Sequence, residues 1–345
     1  MSFKRLETDD FVVSSDSVTT GIWTNNETTL TTFWTSSTQE VAASGQYYLN
    51  VYQTSSTLTN SEVQFAIAYG NKEGSGSQAF DLAVDGKSPT STIYGQYRTL
   101  VLGDENAQFV FGGVTSSDFF ALSVDRNRYK EKLYPGTLTL KISGSTDVLS
   151  ITDDSNYVTS QTFTDAGRVF NLISGSAGVK STAFNADGYT DASGSFGWLL
   201  PDIGTILLNP LALSSSRAQG GCGFLYSGSV SASLSPNQTP NAKMFTAISH
   251  SNAATFVLNS EETITSDYVF VRPRSSEFNY SENPSYISGS TGEIIYNDFI
   301  NNPVSYITTV GLYNDTNELL AVAKLSRPLK KDFTKEALVR VKLDF

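Results

Sequence analysis

At 345 residues and a net charge of −11, the chain is long enough for two or three domains of about 100–200 residues each. It is too acidic to be drawn non-specifically to nucleic acid or to an anionic membrane. Charged residues make up only 17%, against 17 Tyr and 21 Phe in a background rich in Ser, Thr, Asn and Gly, so strand formers alternate with turn formers and the chain reads as all-β.

The first ten residues lack the apolar core of a signal peptide, and no run of ~18 apolar residues offers a membrane span. The expectation is a protein made in the cytoplasm that stays soluble or travels within an assembly. From Phe11 to Val51 the text is Ser/Thr-rich but anchored by Trp23, Phe33, Trp34, Tyr47 and Tyr48, which disordered segments rarely contain, so short strands are expected. Glu62 to Tyr69 alternates, placing Val63, Phe65, Ile67 and Tyr69 on one face of a strand. A flexible loop is expected from Asn71 to Ser77. Thr99–Leu102 and Gln108–Phe111 read as two strands around Gly103, followed by strands at Asp118–Val124, Thr137–Ile142 and Arg168–Ile173.

Short apolar pieces at Phe196–Leu200 and Thr205–Leu208 flank Pro201–Gly204, and Asn209 to Asn241 reads mostly as loop. Lys243–Ser249 fits a short helix or a strand. Thr255–Leu258 and Asp267–Arg272 read as strands, Pro273–Ser290 as a long loop, and Asn297–Asn302 as one helical turn ending before Pro303.

The last segment is the clearest. Tyr306–Tyr313 runs into the turn cluster Asn314–Asn317, then Glu318–Leu325 follows as a nearly continuous apolar run that suits a strand covered on both faces. After Pro328 and a Lys-rich loop, Ala337–Phe345 alternates strictly. Val339, Val341, Leu343 and Phe345 point one way, and Arg340, Lys342 and Asp344 the other. That ending predicts a docked last strand. No repeat of 20–50 residues is visible, which argues against a propeller or solenoid. The expected organisation is multidomain and sandwich-like, with antiparallel sheets: an N-terminal β domain over 1–145, a loop-rich central β domain over 146–265 and a C-terminal β module over 266–345.

Catalytic chemistry finds little footing. One histidine, His250, and one cysteine, Cys222, exclude a Cys/His zinc set and an internal disulfide. Ser249-His250-Ser251 offers a base beside hydroxyls, but a hydrogen-bonded or surface histidine is the plainer reading. Cys222 between Gly221 and Gly223 reads as a small residue in a tight turn. The acidic pairs Asp9-Asp10, Asp153-Asp154 and Glu261-Glu262 would face opposite sides of a strand, which is not a two-carboxylate site. Asn185–Asp191 lacks most of a calcium loop, and Gly74-Ser-Gly76 is too short for a phosphate cradle. No enzyme and no cofactor is expected. Trp23, Trp34 and Tyr47 would suit sugar stacking, yet a chain poor in aliphatic strands needs its aromatics in the core.

Between Lys324 and Lys342 lie Lys324, Arg327, Lys330, Lys331, Lys335, Arg340 and Lys342 against only Asp332 and Glu336. A basic stretch on an acidic chain reads either as edge-strand lysines that block stray pairing or as a surface for an acidic partner. Arg126, Arg128 and Tyr129, in the densest charge run, join it as candidate contact residues, as does Phe345.

Val310-Gly-Leu-Tyr-Asn-Asp-Thr-Asn-Glu-Leu-Leu-Ala-Val-Ala-Lys-Leu325 resembles a motif shared by tail-associated proteins of tailed bacteriophages. More widely, Tyr94-Gly-Gln-Tyr-Arg98, Arg126-Asn-Arg-Tyr-Lys-Glu-Lys-Leu-Tyr-Pro-Gly136, Phe278-Asn-Tyr-Ser-Glu-Asn-Pro-Ser-Tyr286 and Val339-Arg-Val-Lys-Leu-Asp-Phe345 resemble a family of virion structural proteins. That family occurs in large contractile-tailed phages of marine bacteria and cyanobacteria. The resemblance touches most of the chain except the first 60 or so residues. It implies a non-enzymatic structural subunit of the virion, in the tail and most simply in the baseplate wedge, within a symmetric hetero-oligomeric assembly of other tail and baseplate proteins. It carries over no catalytic residue. A neck or head-surface protein, a receptor- or carbohydrate-binding tail module, and a glycan-degrading enzyme with distant carboxylates are the rival readings.

Overall fold

A computed structural model describes residues 3–36, 47–77, 88–145, 147–181, 186–190, 192–224, 238–250, 254–281 and 283–344. Strands hold 43% of the chain and helices 16%, so it is all-β as its composition implies. Two compact units share it: Val18–Glu262, and a second made of Met1–Ser17 together with Thr263–Phe345. The expected border at 145/146 does not exist. Strand Thr139–Ser143 pairs antiparallel with Val148–Asp153, Leu140 opposite Ile151, so one sheet runs across it. The C-terminal unit begins at Thr263 rather than Ser266 and takes in the first residues of the chain.

The larger unit is built on a thirteen-stranded sheet. Its path begins at Thr29–Leu30 and runs through Phe256–Val257, Thr139–Ser143, Val148–Asp153, Gly167–Ser176, Gly197–Leu200, Thr205–Leu208, Asp118–Val124, Val63–Asn71 and Tyr48–Tyr52 to Trp34–Thr35. Only residues 31–33 separate the first strand from the last, and that stretch reaches at most roughly 14 Å. The sheet must therefore curl until its edges nearly meet. Phe65 and Phe256, on strands with six others between them, would stand about 34 Å apart in a flat sheet; their ring centroids lie 5.3 Å apart.

Alternation fills both faces of that sheet. Phe65, Ile67, Tyr69, Phe120, Leu122, Ile206 and Leu208 point to the inner core, joined by Met244, Ala247 and Ile248 of helix Gln238–Ser249. That helix settles the choice left open at Lys243–Ser249. The outward residues Ala68, Phe119, Ala121 and Leu207 pack against Ile93, Tyr94 and Val101 of a second helix, Pro89–Leu102. Each such buried Leu, Ile or Phe contributes about 1.5–3 kcal/mol.

Helix Pro89–Leu102 replaces the strand expected at Thr99–Leu102. Its start is a Ser88/Ser91 capping box with Pro89 at the first position, and its end is Gly103 at φ 67. Phe109–Phe111 is a strand as expected, but it pairs with Val114–Ser116. The Asn71–Ser77 segment is a tight turn rather than a flexible loop: Asn71 Oδ1 accepts from the backbone of Glu73 (3.0 Å) and Ser75 (3.1 Å), and residues 74–77 are buried.

The smaller unit is a thin two-layer sandwich. One layer is formed where the strands Phe11–Gly21, Asn259–Val271 and Val339–Asp344 pair in that order, the first two running on into the larger unit at Val18 and Glu262. The last strand is docked as its alternation predicts, Val341 opposite Val269. Phe345 lies outside the described residues. The other layer is the hairpin Ser305–Tyr313/Leu319–Lys331, which pairs with no further strand among the described residues. Between the layers Val269, Val339 and Val341 meet Val310, Leu312, Ala323, Leu325 and Leu329. Pro328 sits inside the second hairpin strand rather than before a loop. A register shift between Ile307 and Thr309 accommodates it, which suits a residue without an N–H.

Candidate interaction surface

The smaller unit buries few apolar residues and exposes many. Among the described residues only Val269, Val339 and Val341 of this unit are fully buried hydrophobics. Leu320 (68% exposed), Val322 (58%) and Tyr306 (60%) lie on the outer face of the hairpin, with Tyr313 and Leu319 beside its turn. The run Glu318–Leu325 reads as covered on both faces, but this chain covers one. Alternation sends Ala321, Ala323 and Leu325 inward and Leu320, Val322 and Lys324 outward. Lys324 stands opposite Thr309, Val322 opposite Gly311 and Lys330 opposite Tyr306, giving an apolar tip and a basic base.

The basic segment is not one patch. Lys324 and Lys330 lie on the hairpin's outer face, whereas Arg340 and Lys342 alternate away from Val339 and Val341 and so lie on the outer face of the opposite layer. There both cover the Tyr268 ring, at 5.4 and 5.9 Å from its centroid, and Lys342 Nζ donates to Asp344 Oδ1 at 2.8 Å. That bond holds the Asp344 carboxyl below, and the Lys342 ammonium above, its ordinary range. Lys330 is 3.8 Å from Asp332 Oδ2. Lys324 and Arg327 are exposed and form no ion pair among the described residues, and Lys335, also exposed, lies near enough to Asp332 to help the Thr334 hydrogen bond hold its carboxyl below the ordinary range.

Two expected contact residues, Lys331 and Tyr129, are internal, and a third, Arg128, is half-buried. Lys331 is fully buried, its Nζ donating to Ser275 O (2.9 Å), Asn279 Oδ1 (2.8 Å) and Asp332 O (3.1 Å). It clamps the 275–279 loop to the hairpin base instead of facing a partner, and Ser305 Oγ donating to Phe278 O ties the same loop. Tyr129 is buried in the larger unit, with the Arg126 guanidinium 4.7 Å over its ring. It packs on Gly204, whose φ of 67 and lack of a Cβ make room for it; a Cβ there would come within 2.5 Å of the Tyr129 ring. Arg128 pairs with Glu62 Oε2 at 2.8 Å. Arg126 alone of the three residues 126, 128 and 129 is exposed.

A second exposed group occupies the long loop, where Tyr286 contacts Tyr296 (6.3 Å) and Phe299 (5.5 Å) while Tyr280, Ile295 and Ile300 remain exposed. The strand Phe11–Gly21 also leaves consecutive Phe11, Val12 and Val13 exposed. Successive strand residues face opposite sides, so neither side of that end is covered.

The remaining candidates are structural in their contacts. Trp23 is buried and donates Nε1–H to Phe256 O at 2.9 Å, so its faces are closed to a sugar. Trp34 is exposed, opposite Tyr52, and Tyr47 packs against the outer core. Asp153, fully buried, accepts from the Gly136 and Ser155 backbone, and Asp154 from Asn171; burial raises both above the ordinary carboxylate range. Glu261 and Glu262 each lie 3.8 Å from a lysine, Lys132 and Lys130. His250 is exposed at the end of its helix, and Ser251 lies outside the described residues, as do Asn185 and Asp191 of the calcium-like text. Among the described residues no three His, Cys, Asp or Glu side chains gather into a metal site, and no helix is long and apolar enough to cross a membrane. Comparison of the chain with protein-family models, with curated proteins and with solved structures finds no match.

Proposed function

We propose that the chain is a non-enzymatic structural subunit of a phage contractile tail, a component of the baseplate wedge that docks neighbouring subunits through its smaller unit. The observation that carries the docking role is the outer face of the hairpin: Leu320, Val322 and Tyr306 are exposed beside Lys324 and Lys330, while Tyr313 at the tip is met edge-on by the Phe3 ring at 5.2 Å. Exposed apolar groups rimmed by charge mark protein contact sites, and tyrosines with desolvated aliphatics are the side chains on which such contacts concentrate. A two-stranded hairpin is marginal by itself, so a partner lying on its outer face would complete a strand that reads as two-sided. The tail and its baseplate come from the resemblance of Val310–Leu325 and Val339–Phe345 to virion proteins. The unmatched basic groups favour a partner surface rich in carboxylates, since charge complementarity sets register and speeds encounter.

Deletion of Ala337–Phe345 tests the docking role, because it removes the strand Val339–Asp344 against which the hairpin packs. Loss of this chain from purified tail particles is expected. Unchanged incorporation would overturn the role assigned to the smaller unit.

A further inference from the structure

The smaller unit carries two exposed apolar surfaces of opposite charge. No lysine or arginine lies between Ser275 and Ala323. Within that stretch Glu293 and Asp298 are exposed and form no ion pair among the described residues. Beside them in the same loop Ile295, Tyr296 and Ile300 are each more than half exposed. The loop has a built shape. Ile295 N–H donates to Tyr286 O at 2.9 Å, Ser288 N–H donates to Glu293 O at 2.8 Å, and the Tyr286 ring meets Tyr296 and Phe299. A surface already ordered loses little freedom when it docks.

Along the second hairpin strand the order is acid, apolar, base. Asp315 and Glu318 stand at the turn, where Asn314 Nδ2 donates to Glu318 Oε2 at 2.7 Å. Leu320 and Val322 follow on the outer face, and then come Lys324 and Arg327, exposed and without an ion pair. A partner for this face must be apolar where it meets Leu320 and Val322 and acidic toward Lys324. The loop has that composition. In the reverse orientation its carboxylates would meet Asp315 and Glu318, and such like-charge contacts are strongly unfavourable, so charge also sets the direction of docking. Among the described residues no hydrogen bond, ion pair or ring contact joins residues 286–300 to 319–327 of the same chain.

We propose that these surfaces meet between copies of this chain. The 286–300 loop of one copy docks on the outer face of the hairpin of another, with Ile295, Tyr296 and Ile300 against Leu320 and Val322, and Glu293 and Asp298 toward Lys324 and Arg327. The inference rests on the docking role of the hairpin and names its partner. Repeated head to tail the contact builds a ring, and made twice between two chains it closes a dimer.

The test is sedimentation velocity of the full chain from micromolar concentrations upward. Self-association of the wild type is expected. Lys324→Glu/Arg327→Glu and Glu293→Lys/Asp298→Lys should each weaken it by on the order of a hundredfold. All four side chains are exposed, so both variants should keep the fold, which circular dichroism checks. An equimolar mixture of the two should associate again, because every hairpin then meets a loop of opposite sign. A wild type that stays monomeric, association that survives either reversal, or a mixture of folded variants that stays monomeric would each overturn the inference. If the chain stays monomeric while Leu320→Ser/Val322→Ser is still lost from tail particles, the hairpin docks a different protein and only this inference falls. Unchanged incorporation of that variant would instead remove the docking role itself.

Discussion

A lysine ammonium offers three donors and no acceptor, and at Lys331 each finds an oxygen of the chain. Lys331→Met keeps the aliphatic stem but strands Asn279 Oδ1 and two carbonyls, so it should cost about 1–3 kcal/mol, seen as faster hydrogen exchange in the hairpin strand Leu319–Lys331. Cys222 makes the opposite case, a group that burial silences. Its thiol is enclosed, donates to Leu213 O at 3.5 Å and is pushed up by burial to about 11. At pH 8 a maleimide should label it only at the rate at which the chain opens; rapid labelling of the folded protein would contradict its placement. Asp202 shows how a surface turn depends on pH. Burial pushes its carboxyl up, but Arg168 outweighs this through a backbone N–H at 2.8 Å and a guanidinium at 2.7 Å, leaving it below the ordinary value of 3.8. A depressed folded-state pKa contributes stability that is complete above the unfolded value and lost as pH falls through the folded one. Asp202→Asn should therefore shallow the acid limb of unfolding below about pH 4 while lowering stability at neutral pH. The residue types were legible in the sequence, but their surroundings were not. Lys331 lies amid a basic run yet is buried, because the loop that supplies its acceptors is 52 to 56 residues away.

Among the elements, those with period-2 alternation could be read directly: Val63–Asn71, Thr139–Ser143 and Val339–Asp344 are strands as their hydrophobic pattern implies, and the short apolar run Asp118–Val124 is a strand buried on both faces. Helix Pro89–Leu102 was missed because Thr99-Leu-Val-Leu102 looks like a strand by composition. The deciding signals are local and non-apolar: Ser88-Pro89 at its start and Gly103 at its end. Gly103→Ala should cost about 1 kcal/mol or more, since alanine is strained at φ 67 and its Cβ would fall 1.8 Å from Asp165 Oδ2. The urea midpoint measures it. The hairpin invites a different experiment, because its outer face contributes little to its own fold. Leu320→Ser/Val322→Ser should change stability by no more than about 0.5 kcal/mol yet abolish incorporation into tail particles. A large loss of thermal stability instead would show that these side chains serve the fold.

For the whole molecule, the sequence told the class but not the division. A boundary at 145/146 seemed natural from composition, whereas the sheet pairs Leu30 with Phe256 and the smaller unit joins the first 17 residues to the last 83. Pairings over such separations leave no trace in local periodicity. Nor was the splitting of the basic segment between two faces visible, since it requires knowing that the hairpin and the last strand lie in facing layers. The distribution of apolar surface is the property of the whole chain that bears most on function. One unit is filled on both faces of its sheet, and the other exposes Leu320, Val322, Tyr306, Phe11 and Val13 around a three-valine core. Such a division of labour suits a subunit with one self-sufficient body and one module completed by its neighbours. The proposed tail role is tested most directly by mass spectrometry of dissociated virions, from a phage whose genome carries this sequence, with heads, tails and baseplates separated by sedimentation. Enrichment of this chain with baseplates, in several copies per particle, is the predicted result; its absence from every particle fraction would contradict the account.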